Sequence, residues 1–190
     1  MTMGAGLVGG IVLWTLLEYV LHRWVFHERV LGNRLSRDHL KHHAKVDWFV
    51  PFRIKALIAT VVVGVLLALS TLLAGTEIAL SLVAGVITGW MIYEWIHRRI
   101  HVAPPVGIEW GKPGTLFSWY GLWARRHHLS HHFGNAKLNH GVSTPIWDLV
   151  FGTYMSPETV QVPRMHVAKF PWLLDRDRIA ARFSDTYRIV

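Results

Sequence analysis

The stretch Ala56–Ala74, ALIATVVVGVLLALSTLLA, runs 19 residues without a charge, and its reading decides the fold. As a helix it is about 28 Å long, close to the ~30 Å of bilayer hydrocarbon. Next comes Gly75-Thr76-Glu77, a link with room only for a turn, and then an uncharged run from Ile78 to Tyr93 that Trp95 and Ile96 extend into the interface. Towards the N-terminus, Met3 to Leu21 is apolar and broken only by Glu18. Three such runs in 190 residues leave too little chain to cover them as buried core helices, so they read as membrane spans at about 3–24, 54–75 and 77–97.

Charge sets the orientation. Hydrophobic residues make up 52% of the chain, yet the net charge is +8, and segregation reconciles the two. No Lys or Arg precedes Arg23 and none lies between Lys55 and Arg98, so all 20 fall in Arg23–Lys55 or Arg98–Arg188. The positive-inside rule then places the N-terminus outside, makes spans two and three a hairpin, and puts every basic segment in the cytoplasm. The expected fold class is all-α. It is a single membrane-embedded domain over 1–190, a helical bundle of about three transmembrane helices with a cytosolic helical cap over 98–190. Gly85-x-x-x-Gly89 offers a small-residue packing face. Gly114–Ala124 (GTLFSWYGLWA) reads as interfacial, and Pro171–Val190 as an amphipathic helix on the membrane or the cap. There is no Cys, which excludes disulfides, thiolate nucleophiles, Cys-ligated zinc and iron–sulfur clusters. Basic charge beside spans reads as topology and contact with anionic lipid, and no motif of a nucleic-acid-binding fold is present.

Ten of the 13 His form four clusters: His22-x4-His27, His39-x2-His42-His43, His97-x3-His101 and His128-x2-His131-His132. All four border the basic segments, so a topology derived without them puts them on one membrane face. At about 100° per helical residue, His97 and His101 stand about 40° apart, on one face. The rings of each triad fan across about 100°, so neighbours such as His42 and His43 reach two ions rather than one. Two facing triads thus bracket a dimetal centre, with five ligands per ion if all ten bind. His22 and His27 differ by about 140° on a regular helix, which implies that the helix ends between them or that they serve different ions. Imidazole suits Fe, Zn, Cu and Ni, and five ligands per ion weigh against a purely structural zinc site, although zinc can displace iron on purification. Glu18, four residues before His22, and Glu94, three before His97, are candidates to accept the far N–H of a metal-bound imidazole. His127 and His140 flank the last box as candidate supporting or substrate-side groups. Asp148 is expected to pin the turn after it.

With the segment Asn139-His140-Gly141-Val142-Ser143-Thr144-Pro145-Ile146-Trp147-Asp148-Leu149-Val150-Phe151-Gly152-Thr153, these boxes resemble the fatty acid hydroxylase / sterol desaturase superfamily of membrane di-iron enzymes. There the last box is followed by a segment like GVTxPxWDxxFGT. The likeness runs from about His22 to Tyr154 and is nearest the fatty acid 2-hydroxylase branch. It implies metal ligation, and catalysis through the bound metals, by His22, His27, His39, His42, His43, His97, His101, His128, His131 and His132. It also implies two iron ions, O2 as co-substrate, and hydroxylation of a C–H bond of a lipid, in the first place a fatty acyl chain. The partners implied are a membrane lipid substrate, the bilayer, and an external electron donor such as a cytochrome b5- or ferredoxin-type protein, since these 190 residues leave no room for a fused carrier. The location implied is a bacterial inner membrane or the endoplasmic reticulum, with the boxes on the cytoplasmic face. Three features depart from the pattern: three spans are counted where the family often has four, the stretch between His101 and His128, with Pro104, Pro105 and Pro113, is longer than expected in the 2-hydroxylase branch, and His140 stands where an aromatic is common. The alternatives within the superfamily are carotenoid ring hydroxylation and sterol oxidation or desaturation. A non-enzymatic membrane haem or metal-binding protein is the alternative of another class, and paired boxes on one face argue against it.

Overall fold

The computed structural model describes residues 3–102 and 118–190. Helix α1 (Met3–Val20) continues without a break into a π-helical turn, Leu21–His27. Helices α2 (Asn33–Ala44), α3 (Phe52–Ala74) and α4 (Thr76–His101) follow, then α5 (Ser118–Phe133) and the short α6 (Ile146–Val150). Among the described residues three helices are long and apolar enough to cross a membrane: Met3–His27, Phe52–Ala74 and Thr76–His101. The first and third run three to four residues beyond the expected spans, because the helix continues through the histidines at its end.

The α1–α4 contact is made by glycines. A Cβ on Gly10 would lie 2.0 Å from the carbonyl oxygen of Leu82, and one on Gly85 2.1 Å from that of Leu7. A Cβ on Gly89 would meet Trp14 at 2.6 Å. Only residues without a side chain let the two backbones approach this closely. Helix α3 joins α4 through Gly75, whose φ of +83° suits glycine. It packs along α4, buries none of its residues completely and barely touches α1. A cleft therefore separates α1 from α3.

Beyond α4 the chain builds a second core from Val46, Ile96, Ile100, Leu129, Val162 and Phe170. One expectation fails here: Pro171–Val190 is not a helix. It forms 3-10 turns at Pro171–Leu173 and Ala181–Phe183, a small antiparallel ladder of β2 (Leu174–Asp175) with β3 (Arg178–Ile179), and β4 (Tyr187–Ile189). Strand β4 pairs in parallel with β1 (Val160–Val162), which precedes a single helical turn, α7 (Arg164–Val167). The apolar residues that suggested a helix face pack as an aromatic cluster instead, with Trp172 against Phe183 and Tyr187 at 5.4 and 5.7 Å, while Arg176 turns the chain at φ +56°. The fold is accordingly mostly helical, not all-α. The stretch read as interfacial falls only partly on the described residues. Residues 114–117 lie outside the described residues, but 118–124 are the opening turns of α5, the helix that carries the last histidine box.

Candidate metal centre

Four elements deliver the ten histidines. The π turn ending α1 carries His22 and His27, α2 carries His39, His42 and His43, the end of α4 carries His97 and His101, and α5 carries His128, His131 and His132. They sort into two groups of five, His22, His27, His39, His43 and His131 in one, and His42, His97, His101, His128 and His132 in the other. Within each group the nitrogens lie within 4.8 Å of one another, a spacing that could hold a metal ion. Adjacent rings divide between the groups, His42 from His43 and His131 from His132, as the fan of a triad requires. His22 and His27 behave otherwise than expected. The helix neither ends between them nor sends them to different groups. A π turn closes i→i+5 hydrogen bonds, continued here by Glu28 N–H to the carbonyl of Arg23 at 2.8 Å, and it brings residues five apart back to one side. The two rings lie 5.1 Å apart.

Hydrogen bonds fix the tautomers. His42 Nδ1 meets the carbonyl of Trp48 at 2.7 Å, and His131 Nδ1 that of Leu138 at 2.7 Å. A carbonyl only accepts, so each Nδ1 carries the proton and each Nε2 presents its lone pair. His22 Nδ1 donates in the same way to the carbonyl of His140, and its buried Nε2 has no hydrogen-bond partner among the described residues. Around each group Nε2 atoms face one another at 2.9 to 3.2 Å, as between His27 and His39 or His42 and His101. Lone pairs so opposed repel unless a cation lies between them. Outside the spans, burial is the main cause that holds the imidazoles neutral, with neighbouring histidines adding to it for all but His42, where the Lys55 ammonium adds instead. It takes His42 down to about 4 and His43 to about 3, and holds His39, His128, His131 and His132 well below their ordinary value. Neutral imidazoles with inward lone pairs are the donor set that Fe, Zn or Cu accepts, so these residues fit a bound metal.

The expected carboxylate partners do other work. Glu18 does not meet His22. It accepts hydrogen bonds from the N–H groups of Val142 at 2.5 Å and Ser143 at 2.9 Å, and from the Ser143 hydroxyl, tying α1 to the segment after the last box. Glu94 forms an ion pair with Lys55 at 2.5 Å, joining α4 to the start of α3. Backbone carbonyls take the role expected of the carboxylates, and every residue type has one, so no sequence signal marks those of Trp48, Leu138 and His140. Asp148, fully buried, accepts from the N–H groups of His140 and Gly141, both at 2.8 Å, from the Thr153 hydroxyl and from His127 Nε2 at 3.3 Å. It thus fixes the His140 carbonyl that orients His22. His127 is stacked between Trp123 and Tyr154 and belongs to neither group. The His140 ring stands just outside the first group, 5.3 Å from His131 and 5.5 Å from His22 and His27.

A cavity of about 460 Å³ ends at this site. Leu17 of α1 and Leu21 of the π turn, Leu57 and Val62 of α3, and Val86 and Trp90 of α4 form apolar walls, and His22, His39, His42 and His97 close the inner end. It occupies the cleft between α1 and α3.

The fatty acid hydroxylase family profile matches residues 7–153. The chain belongs to the fatty acid hydroxylase family. Among curated members, the fatty acid 2-hydroxylase of Homo sapiens is 30% identical over 156 residues, 78% of this chain and 39% of that protein. The dihydroceramide fatty acyl 2-hydroxylase FAH1 of Arabidopsis thaliana is 30% identical over 167 residues, 83% of this chain and 62% of that one. A solved structure described as full-length scs7p with only the hydroxylase domain visible superposes with a TM-score of 0.61 at 25% identity, over 82% of this chain and 57% of that chain. The likeness to the 2-hydroxylase branch read from the boxes therefore holds. The chain spans 39% of the length of the mammalian members, so the activity of the whole proteins is not transferred with the family.

Proposed function

We propose that the chain hydroxylates a C–H bond of a fatty acyl chain, using two iron ions, O2 and electrons from an external carrier: R–H + O2 + 2 e⁻ + 2 H⁺ → R–OH + H2O. One observation carries this reading: ten imidazoles gathered as two groups of five at the end of an apolar cavity. Five imidazoles per ion exceed the four ligands that usually satisfy structural zinc, and they would hold iron as an ion available for O2 chemistry. The family and the names of its curated members favour an acyl chain as substrate. Bound iron would supply O2 activation and hydrogen abstraction from an unactivated C–H bond.

The protein's part is binding, orientation and exclusion of water. The imidazoles of α2 and α5 are held neutral by burial, and those of His22, His42 and His131 are locked in place by carbonyls. An acyl chain enters from the bilayer between α1 and α3, where the two helices do not pack. Its apolar length lies along Leu57, Val62 and Val86, while its head stays near the polar rim at Arg34, Arg37 and Asp38. The histidines and the basic segment 98–190 face the cytoplasm, as the distribution of Lys and Arg argues.

The test is mass spectrometry of lipids from cells with and without the gene, together with metal analysis of the fresh protein. The expected result is a +16 shift on acyl chains and about two iron atoms per chain, with both lost in His42→Ala and His131→Ala. Full hydroxylation by either variant, or a shift found on carotenoid alone, contradicts the proposal.

A further inference from the structure

A second cavity, of about 240 Å³, lies on the face of α5 turned away from His128, His131 and His132. It is unlike the first. Arg126 comes from α5 and Arg182 from the C-terminal segment, and the hydroxyl-bearing Tyr154, Ser156, Thr186 and Tyr187 complete its polar wall. Among the described residues no Asp or Glu lines it. Neither arginine has a carboxylate partner among the described residues, and the Nε of Arg126 is buried without a hydrogen-bond acceptor. A buried guanidinium N–H normally finds an acceptor, because leaving it bare forfeits its hydration with no return. The wall thus offers two guanidinium groups and several hydroxyl donors, and no carboxylate among the described residues neutralises them. Leu122, Trp123 and Phe183 add an apolar side.

We propose that this cavity binds a phosphate group between Arg126 and Arg182. Planar guanidinium forks match phosphate oxygens, and a tetrahedral phosphate has acceptors enough for two forks and the hydroxyls together, which a carboxylate lacks. The apolar side accommodates the carbon of an ester, so the group can be free phosphate or the headgroup of an anionic lipid. His127 belongs to this wall and to the Asp148 frame, so the bound phosphate touches the scaffold that holds His140 and, through it, His22. The proposal does not depend on whether the histidines bind metal.

The test uses the full chain in a phosphate-free maltoside detergent. Titration calorimetry with inorganic phosphate and thermal melts with phosphatidate are run on wild type, Arg126→Gln, Arg182→Gln and Arg126→Lys. If free phosphate is the ligand, it binds saturably and its affinity falls at least about tenfold in each Gln variant, with a smaller loss in Arg126→Lys, which keeps the charge without the fork. If a lipid headgroup is the ligand, phosphatidate raises the melting temperature and the rise disappears in the same variants. Arg182 is exposed, so Arg182→Gln decides the matter should Arg126→Gln fail to fold. No response to either ligand, or an equal response in wild type and Gln variants, overturns the proposal.

Discussion

Asp148 shows how much of the histidine cluster depends on a residue that belongs to neither group of five. Its carboxylate gathers four donors, two of them the N–H groups of His140 and Gly141, and so sets the carbonyl to which His22 Nδ1 donates. Asp148→Ala leaves those donors buried and unmet. The expected cost is about 3 kcal/mol of stability together with weakened metal binding, read by denaturant unfolding and by metal content. Glu18→Ala is expected to cost about 2 kcal/mol for the same reason, since Val142 and Ser143 lose their acceptor. If Glu18 instead oriented His22, metal loss without destabilisation would follow. At this scale the ten histidines were legible, because metal-ligand spacing is written in side chains. Their supports were legible only where a side chain provides them, as with Asp148. Glu18 and Glu94 stood at the right spacing for His22 and His97 but were claimed by partners distant in sequence, Ser143 and Lys55, which no local pattern reveals.

Among the elements, the π turn Leu21–His27 is the one on which the site depends. It holds one residue more per turn than an α-helix, and that residue brings His22 and His27 to the same group. Deleting Trp24 closes the spacing to four residues, which a regular α-helix places about 40° apart on one face, so the two rings stay together. The expected outcome is that metal content remains about two per chain. A fall to about one per chain would show that the wide turn itself, and not the shared face, is required. The glycine seam makes a separate prediction. Gly10→Val places a branched side chain where a Cβ alone comes within 2.0 Å of Leu82 O, so α1 must shift. Overpacking costs of about 1–3 kcal/mol or more are expected, with a lower melting temperature and a loosened first group, while Gly64→Val, which faces open space, serves as the neutral control. Spans were legible from composition, and the hairpin from its three-residue link. The π turn was not, because helical wheels assume one pitch. The strands of the C-terminal segment were not either, because two- and three-residue strands are fixed by their partners, as β4 is by Val160–Val162, and not by their own periodicity.

At the scale of the molecule, ten largely buried imidazoles make the structure sensitive to acid. The folded pKa values of His42 and His43, about 4 and about 3, lie below the 6.5 of the free side chain. Between those limits the unfolded chain binds protons that the folded chain refuses, so stability rises with pH. The histidine contribution is complete above about pH 6.5 and is lost as pH falls towards 4 and 3. Bound metal is released over the same range, because protonation removes the lone pair. A melting temperature and metal content unchanged from pH 7 to pH 4.5 would contradict this. The central claim is that the four boxes, carried by four separate elements, form two five-nitrogen sites side by side. It is tested most directly by anomalous diffraction at the iron absorption edge from crystals of the protein purified without chelators. The account predicts two anomalous peaks a few ångström apart, one ringed by His22, His27, His39, His43 and His131 and the other by His42, His97, His101, His128 and His132. A single peak, or two peaks that draw their ligands from any other partition of the histidines, would contradict it.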